Sequence, residues 1–249
     1  MNLDIVTHPS LAPLRHGFFA RAGGASSGVF AGLNCGFSSS DQREIVALNR
    51  ARAAGALGLA PEALAGMRQV HSARAVVIGR ADEQPEADAI VTRTPGIALS
   101  VLTADCQPVL LADSDAGVIG AAHAGWRGAL AGVIEAAVAA MEGIGARADR
   151  ISAVIGPAIS ARAYEVGFEF RDNFISQDPD SERFFHNSGN RPRFDLPGYG
   201  LERLRRAGVG RVAWTGDCTC SDPSRFYSYR RKTLNGEADF GRLISAIRL

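Results

Sequence analysis

Between residues 73 and 123 the chain carries five short apolar runs with no segment between them long enough for a helix. They read "ARAVVIG", "ADAIVT", "IALSVLT", "PVLLAD" and "GVIGAAH". Each is β-branched in part and bounded by Asp, Gly or Pro, the pattern of strands rather than helical turns. Strands in immediate succession cannot be a doubly wound sheet, which places a helix after every strand. The helical segments lie outside this block. "SDQREIVALNRARAAGALGL" predicts a helix with Ser40 or Asp41 as N-cap and Gly58 near its stop, burying positions 45, 48, 53 and 57. "GALAGVIEAAVAAMEGIG" predicts a second, closing at Gly143 or Gly145. The strand "RISAVIGP", the helices in "YEVGFEFRDNFI" and "GYGLERLRRAGV", and the strand "RVAWTG" follow. The expectation is an α+β fold of layered sheets with flanking helices, one compact domain over residues 1–249.

Charge narrows the partners. A net charge of +1 gives no electrostatic footprint for nucleic acid or an anionic membrane surface, so neither is expected. No run of about 18 apolar residues is available to span a bilayer. The opening "MNLDIVTHPS" lacks the basic and apolar regions of a secretory signal. With cysteines at 35, 106, 218 and 220 read as free thiols, a reducing, cytoplasmic setting is expected. Lys232 is the only lysine, and no G-x-x-x-x-G-K-[ST] stretch exists. Any anion site must therefore be built from arginines, whose planar fork suits phosphate and carboxylate.

The residues that break the apolar block carry the chemistry. Cys106 stands in the corner between "IALSVLT" and "PVLLAD", His123 ends "GVIGAAH", and His71 follows "RQV" at the mouth of the first strand. Strand ends opening onto glycine-rich turns are where rigid scaffolds present functional groups. A His₂Cys set suits Zn²⁺, and three protein ligands leave a fourth position open, as in catalytic sites. The same residues allow a Cys106–His123 nucleophile dyad with Asp105 or Asp88 as orienter, which leaves His71 idle. Two buried polar residues of no consequence are the third reading. His8, His16 and His186 read as structural or solvated, and Cys218 and Cys220 of "DCTC" as small core side chains. Arg21 in "FFARAGGASSG", Arg127 after Trp126, and Arg230 closing "FYSYRR" are the candidates to contact an anion.

Taken in order, "HGFFARAGG" with "LNCG", "NRARAAGALGL", "RQVHSARAVVI", "ADAIVTRTPGIALSVLTADCQPVLL", "GVIGAAHAGWRG", "IGPAISARAYEVG", "FDL", "CTCSDPSRFYSYRR" and "FGR" resemble a known family over nearly the whole chain. It is the bacterial multicopper polyphenol oxidase, or laccase-domain, family, also described as purine nucleoside phosphorylases with adenosine deaminase activity. The resemblance implies zinc held by His71, Cys106 and His123, with copper as an alternative occupant. It implies adenosine, inosine and 5′-methylthioadenosine as substrates and phosphate as co-substrate, and leaves a homodimer open. A zinc ion lowers the pKa of water toward 7, which would serve attack on C6 of adenosine. Asp105 and Glu165 are the candidate carboxylates for moving the proton, and Arg21, with Arg127 or Arg230, for aligning phosphate on ribose C1′. Arg162 and Ala163 replace the cysteines that commonly precede the tyrosine. The segments after "FDL" and around "FGR" also depart from the family pattern. An amide hydrolase editing cell-wall peptide precursors, a copper polyphenol oxidase and a nucleoside-sensing module are the alternative functions.

Overall fold

The runs between residues 73 and 123 do form strands, and their hydrogen-bonded pairing sorts them into two stacked sheets. The structure is a computed structural model describing residues 2–188 and 190–249. In chain order it begins with β1 (Ile5–Val6), β2 (His16–Phe19) and α1 (Arg43–Ala56). The strand block holds β3 (Leu64–Ala65), β4 (Ala75–Val77), β5 (Ala89–Thr92), β6 (Ala98–Thr103), β7 (Gln107–Asp113) and β8 (Val118–Ala124). Next come α2 (Trp126–Ala131), α3 (Val133–Glu142), β9 (Ser152–Ile155), α4 (Phe168–Gln177), and the hairpin of β10 (Phe185–Ser188) with β11 (Arg191–Phe194). The chain closes with α5 (Leu196–Arg206), β12 (Arg211–Trp214), α6 (Tyr229–Asn235) and β13 (Leu243–Arg248).

One sheet runs β1-β2-β13-β6-β3 and the other β12-β9-β7-β8-β5-β4. Every residue of β7 and β8 is buried, so these strands read as continuous apolar runs instead of alternating ones. Leu110 and Ala112 pack with Ile119, Leu99, Val101 and Ile247 in the layer between the sheets. Val109 and Leu111 face the opposite way, onto Val133, Val138 and Met141 of α3 and Tyr199 and Leu204 of α5. On the outer face of the first sheet, Ala53 and Ala54 of α1 and Leu57 beyond it pack on Leu64, Ala98, Ile244 and Ala246. The layers are thus helix, sheet, sheet, helices. Each fully buried Leu or Ile between them contributes about 1.5–3 kcal/mol.

Two expected helices differ in detail. The buried stripe of α1 is Val46, Asn49, Ala53 and Ala54, while Leu48 is exposed. A polar residue sets that rotation. Asn49 accepts from Ala25 N at 2.8 Å and donates to Ser26 Oγ and Asn34 O, both at 2.9 Å. An apolar count cannot see a buried asparagine that clamps a loop. The alanine-rich helix is broken into α2 and α3 at Gly132, whose φ of 99° is left-handed. The last segment, given no element from its sequence, is β13, inserted between β2 and β6.

Candidate metal centre

Strand direction brings the reactive residues together. β8 runs antiparallel to both β7 and β5, and β4 runs parallel to β5. The end of β8 therefore coincides with the starts of β7, β5 and β4. His123 lies at the end of β8, Cys106 just before β7, Asp88 just before β5, and His71 in the segment leading to β4. Cys106 also sits on the crossover from β6 in one sheet to β7 in the other, which fixes its position from both layers. The ligand atoms of His71, Cys106 and His123 lie within 4.8 Å of one another. The two imidazoles meet edge to face with centroids 4.7 Å apart. His123 is buried, Cys106 half-buried and His71 exposed, so the cluster opens to solvent on one side.

The ligands are held by a buried carboxylate. Asp88 is fully buried and accepts from the backbone amides of Val70, His71 and Ser72 at 3.2, 3.0 and 2.6 Å. It also accepts from Ser72 Oγ at 2.8 Å and meets His123 Nδ1 at 2.9 Å. A proton on Nδ1 donated to Asp88 leaves Nε2 of His123 free to ligate a metal ion. Burial alone would raise the Asp88 pKa, but the hydrogen bonds from His123 and Ser72 outweigh it and bring it to about 2. Burial likewise disfavours a thiolate at Cys106, yet the imidazoles of His123 and His71 beside it lower its pKa. The same pairing outweighs the opposing effect of burial on His123 and raises it.

Backbone geometry is unusual at two points. His71 has φ of 61° and Asp105 φ of 86°, left-handed values rare for side-chain-bearing residues and frequent where a site dictates geometry. Gly125, after β8, closes the cluster from below. A Cβ there would sit 2.8 Å from Cys106 Sγ and 3.1 Å from His71 Cδ2. That close approach explains the first glycine of "HAGWRG".

The donor set fits a metal ion. A thiolate and two imidazoles, one oriented by a carboxylate, suit zinc or another borderline-soft ion and leave a coordination position open. Among the described residues this is the single group of at least three such side chains. Cys218 and Cys220 stand apart from it. Cys218 Sγ accepts from Ser160 Oγ at 3.1 Å and Ser221 Oγ at 3.2 Å, and both thiols are half-buried instead of closed in a core.

The other expected residues divide. Asp105 is buried beside Cys106, its Oδ1 taking Thr219 Oγ1 at 2.7 Å and its Oδ2 taking Ser228 Oγ at 2.9 Å and Arg230 N at 2.6 Å. Both oxygens are engaged by the protein. Glu165 is exposed and faces Arg191 at 4.0 Å, outside the cluster. Arg21 donates through Nε and Nη2 to Ala31 O and through Nη1 to Pro223 O, and it stacks on Tyr227. It lines a cavity of about 310 Å³ with Ser228, Arg231 and Glu237. Arg230 lies with its Cζ 5.4 Å from the Tyr164 ring, and Arg127 stacks on Trp126 at 4.8 Å. Neither guanidinium has a carboxylate partner among the described residues. Sequence reading missed Ser72, Thr219, Ser228 and Tyr164, and weighed Asp88 only as an orienter in the dyad. A polar residue opening an apolar run, as Asp88 opens "AIVT", was the available signal.

The class defined here is a two-sheet α+β domain with a His–Cys–His cluster, a donor set suited to a metal ion, at one end of its six-stranded sheet. The chain belongs to the family described as multi-copper polyphenol oxidoreductase laccase, whose model matches residues 15–249. It is 45% identical over 229 residues to a purine nucleoside phosphorylase of Deinococcus radiodurans, covering 92% of this chain and 88% of that one. It is 41% identical to a purine nucleoside phosphorylase of Streptomyces griseus, covering 92% and 94%. The crystal structure of a Neisseria meningitidis protein of the DUF152 family matches with TM-score 0.87 and 35% identity over 100% of this chain and 99% of that one. YlmD of Geobacillus stearothermophilus matches with TM-score 0.87 and 28% identity, over 97% and 93%. No helix among the described residues is long and apolar enough to cross a membrane.

Proposed function

We propose that the protein is a zinc-dependent purine nucleoside phosphorylase that also deaminates adenosine. Its homologues named purine nucleoside phosphorylase support an enzyme of that class, with a nucleoside and phosphate as substrates. The observation that carries the metal part is the convergence of His71, Cys106 and His123 within 4.8 Å, open on the His71 side. Those three residues would hold the ion, with copper as the competing occupant. A zinc ion so held supplies Lewis-acid polarisation and lowers the pKa of a water toward about 7.

The chain's own residues divide the remaining work. Asp88 fixes the ring of His123 and the turn bearing His71. Arg127 and Arg230, unpaired beside the cluster, bind the phosphate. In phosphorolysis a phosphate oxygen bonds to ribose C1′ as the C1′–N9 bond breaks, giving the free base and ribose 1-phosphate. In deamination water replaces the C6 amino group of adenosine, giving inosine and ammonia. Asp105, with both oxygens committed, acts as a positioning residue for Cys106 and Arg230 in place of the proton carrier expected from sequence. Arg21 ties the 28–33 loop to Pro223, and Glu165 has no part in the cluster.

The test is to purify the protein, measure its bound metal, and incubate it with adenosine in the presence and absence of phosphate. Inosine in both cases, with adenine and ribose 1-phosphate only when phosphate is present, is the expected result. A protein carrying one zinc per chain that turns over neither way sinks the reading. Multicopper oxidase chemistry has a specific obstacle, since the described residues form one such ligand group and not several.

A further inference from the structure

Tyr164 has no part in the roles above, yet its placement is strongly specified. It ends the turn that follows β9. Ile159 N donates to Asp105 O at 2.9 Å, tying the start of this turn to the residue beside Cys106. Tyr164 N donates to Ser160 O at 3.1 Å, and Tyr164 O accepts from Phe194 N at 3.0 Å, so the backbone is fixed on both sides. The ring is wedged against Phe170 and Phe194 at 6.2 and 6.1 Å, with the Arg230 guanidinium over its face. Arg230 is anchored in turn by its own backbone amide on Asp105.

The hydroxyl at the end of this ring has no hydrogen-bond partner among the described residues, although the side chain is only partly exposed. Arg127 stacks on Trp126, whose ring meets Phe170 at 4.8 Å, so its guanidinium is carried by the same aromatic group that packs Tyr164. Asp105 is already saturated by its three donors, and Glu165, the next residue, is turned to Arg191. An unengaged hydroxyl and two guanidinium groups without a carboxylate partner thus share one aromatic group, on a turn tied to the residue beside Cys106. Guanidinium groups that form no ion pair, next to a neutral donor, form a receptor for an oxyanion.

Resting on the phosphorylase reading, we propose that Tyr164 completes the phosphate subsite formed by Arg127 and Arg230, its hydroxyl donating to one phosphate oxygen. The aromatic packing fixes the direction of that donor, while the guanidinium groups supply the charge. Tyr164 is thereby a substrate-binding residue, and the turn after β9 couples it to the crossover that carries Cys106.

Tyr164→Phe removes one oxygen and keeps the ring under Arg230. A hydrogen bond to a charged group corresponds to about a tenfold or greater change in affinity. The expected result is a KM for phosphate raised about tenfold, with KM for the nucleoside, bound metal and Tm unchanged. Calorimetric titration of the metal-loaded protein with inorganic phosphate alone should show the same weakening. Arg230→Gln should weaken phosphate in the same sense, and the double variant should lose less than the two single losses combined. Unchanged phosphate affinity in Tyr164→Phe overturns the inference, as does a loss of bound metal in its place. If the unaltered protein binds phosphate and Tyr164→Phe weakens it, but no nucleoside is turned over, the subsite stands and the phosphorylase reading falls.

Discussion

Two buried aspartates adjoin the cluster, one bonded to His123 and the other next to Cys106 in the chain, and they are treated differently by their surroundings. Asp88 gathers donors from three successive backbone amides, a serine hydroxyl and the His123 ring. Asp105 gathers two hydroxyls and one amide. Burial opposes ionisation of both. At Asp88 the donors overcome it and the pKa falls to about 2, whereas at Asp105 burial prevails and the pKa is raised. The heavier cost of burial at Asp105, and the donation from the His123 ring at Asp88, set the two carboxylates apart. The first aspartate holds the His123 ring and the turn bearing His71, the second ties the residue before Cys106 to the backbone of Arg230, and the two tasks can be separated experimentally.

The largest effect is expected at Asp88. Asp88→Ala leaves three backbone amides and the His123 ring without their acceptor around a fully buried position. Breaking a buried charged network in this way costs about 3–5 kcal/mol. Loss of the group that orients a ligating histidine lowers metal affinity about 10–100-fold. Urea unfolding and metal analysis after dialysis check both. A variant of full stability that retains its metal would remove Asp88 from the account.

Acid should expose the same asymmetry. A carboxyl with a folded pKa of about 2, below its unfolded value near 3.9, stabilises the fold above the unfolded value. That contribution, about 2 to 3 kcal/mol, is lost as pH falls from about 4 to 2. Asp105 works in the opposite sense: its raised pKa makes the ionised form a burden that acidification relieves. Stability curves of the unaltered protein and of Asp88→Asn should converge near pH 2, the variant showing a flatter slope. Parallel curves throughout would mean that Asp88 is not held ionised by its donors.

Gly125→Ala tests the cluster without touching a ligand or an aspartate. The backbone there is extended, φ −67° and ψ 168°, so alanine meets no conformational penalty and acts only through its Cβ. That carbon would stand 2.8 Å from Cys106 Sγ, displacing the sulfur. About a tenfold loss of metal affinity is expected, about 1.4 kcal/mol, with smaller change in unfolding. Competition with a chromophoric chelator reads it directly, and an unchanged affinity would show that the thiol has room to move.

How far these supports were legible in the sequence depends on how local their causes are. Cys106 and His123 stood out because each interrupts an apolar run at a strand end, and "QVH" placed His71 in the same block. The order of strands within each sheet was not legible, since β13 enters between β2 and β6 from the far end of the chain. Asp105 was read as a proton carrier because it adjoins Cys106. Its occupants, Thr219, Ser228 and Arg230, come from the loop after β12 and the start of α6, and no spacing announces them. Arg21 looked available in a glycine-rich loop, but the carbonyl groups it serves, on Ala31 and Pro223, are set by tertiary folding. Asn49 shows the same limit in α1, where a loop's need for donors outweighed the apolar stripe.

The smallest and most discriminating change is Asp105→Asn. It keeps the shape, so one oxygen can still serve Ser228 and Arg230 while the new amide group donates to the Thr219 hydroxyl. Removing a buried charge offsets much of the lost hydrogen-bond strength, and the net change in stability should stay within about 1 kcal/mol. Metal content should hold at neutral pH, because Asp88 orients the His123 ring and fixes the backbone of His71. Phosphate affinity should fall severalfold, because Arg230 hangs from Asp105 through its amide nitrogen, and a weaker acceptor loosens the first turn of α6. Phosphate titration and metal analysis on the same sample separate the two. If Asp105→Asn releases metal as readily as Asp88→Ala does, the aspartates share one task, and the division of labour between them is wrong.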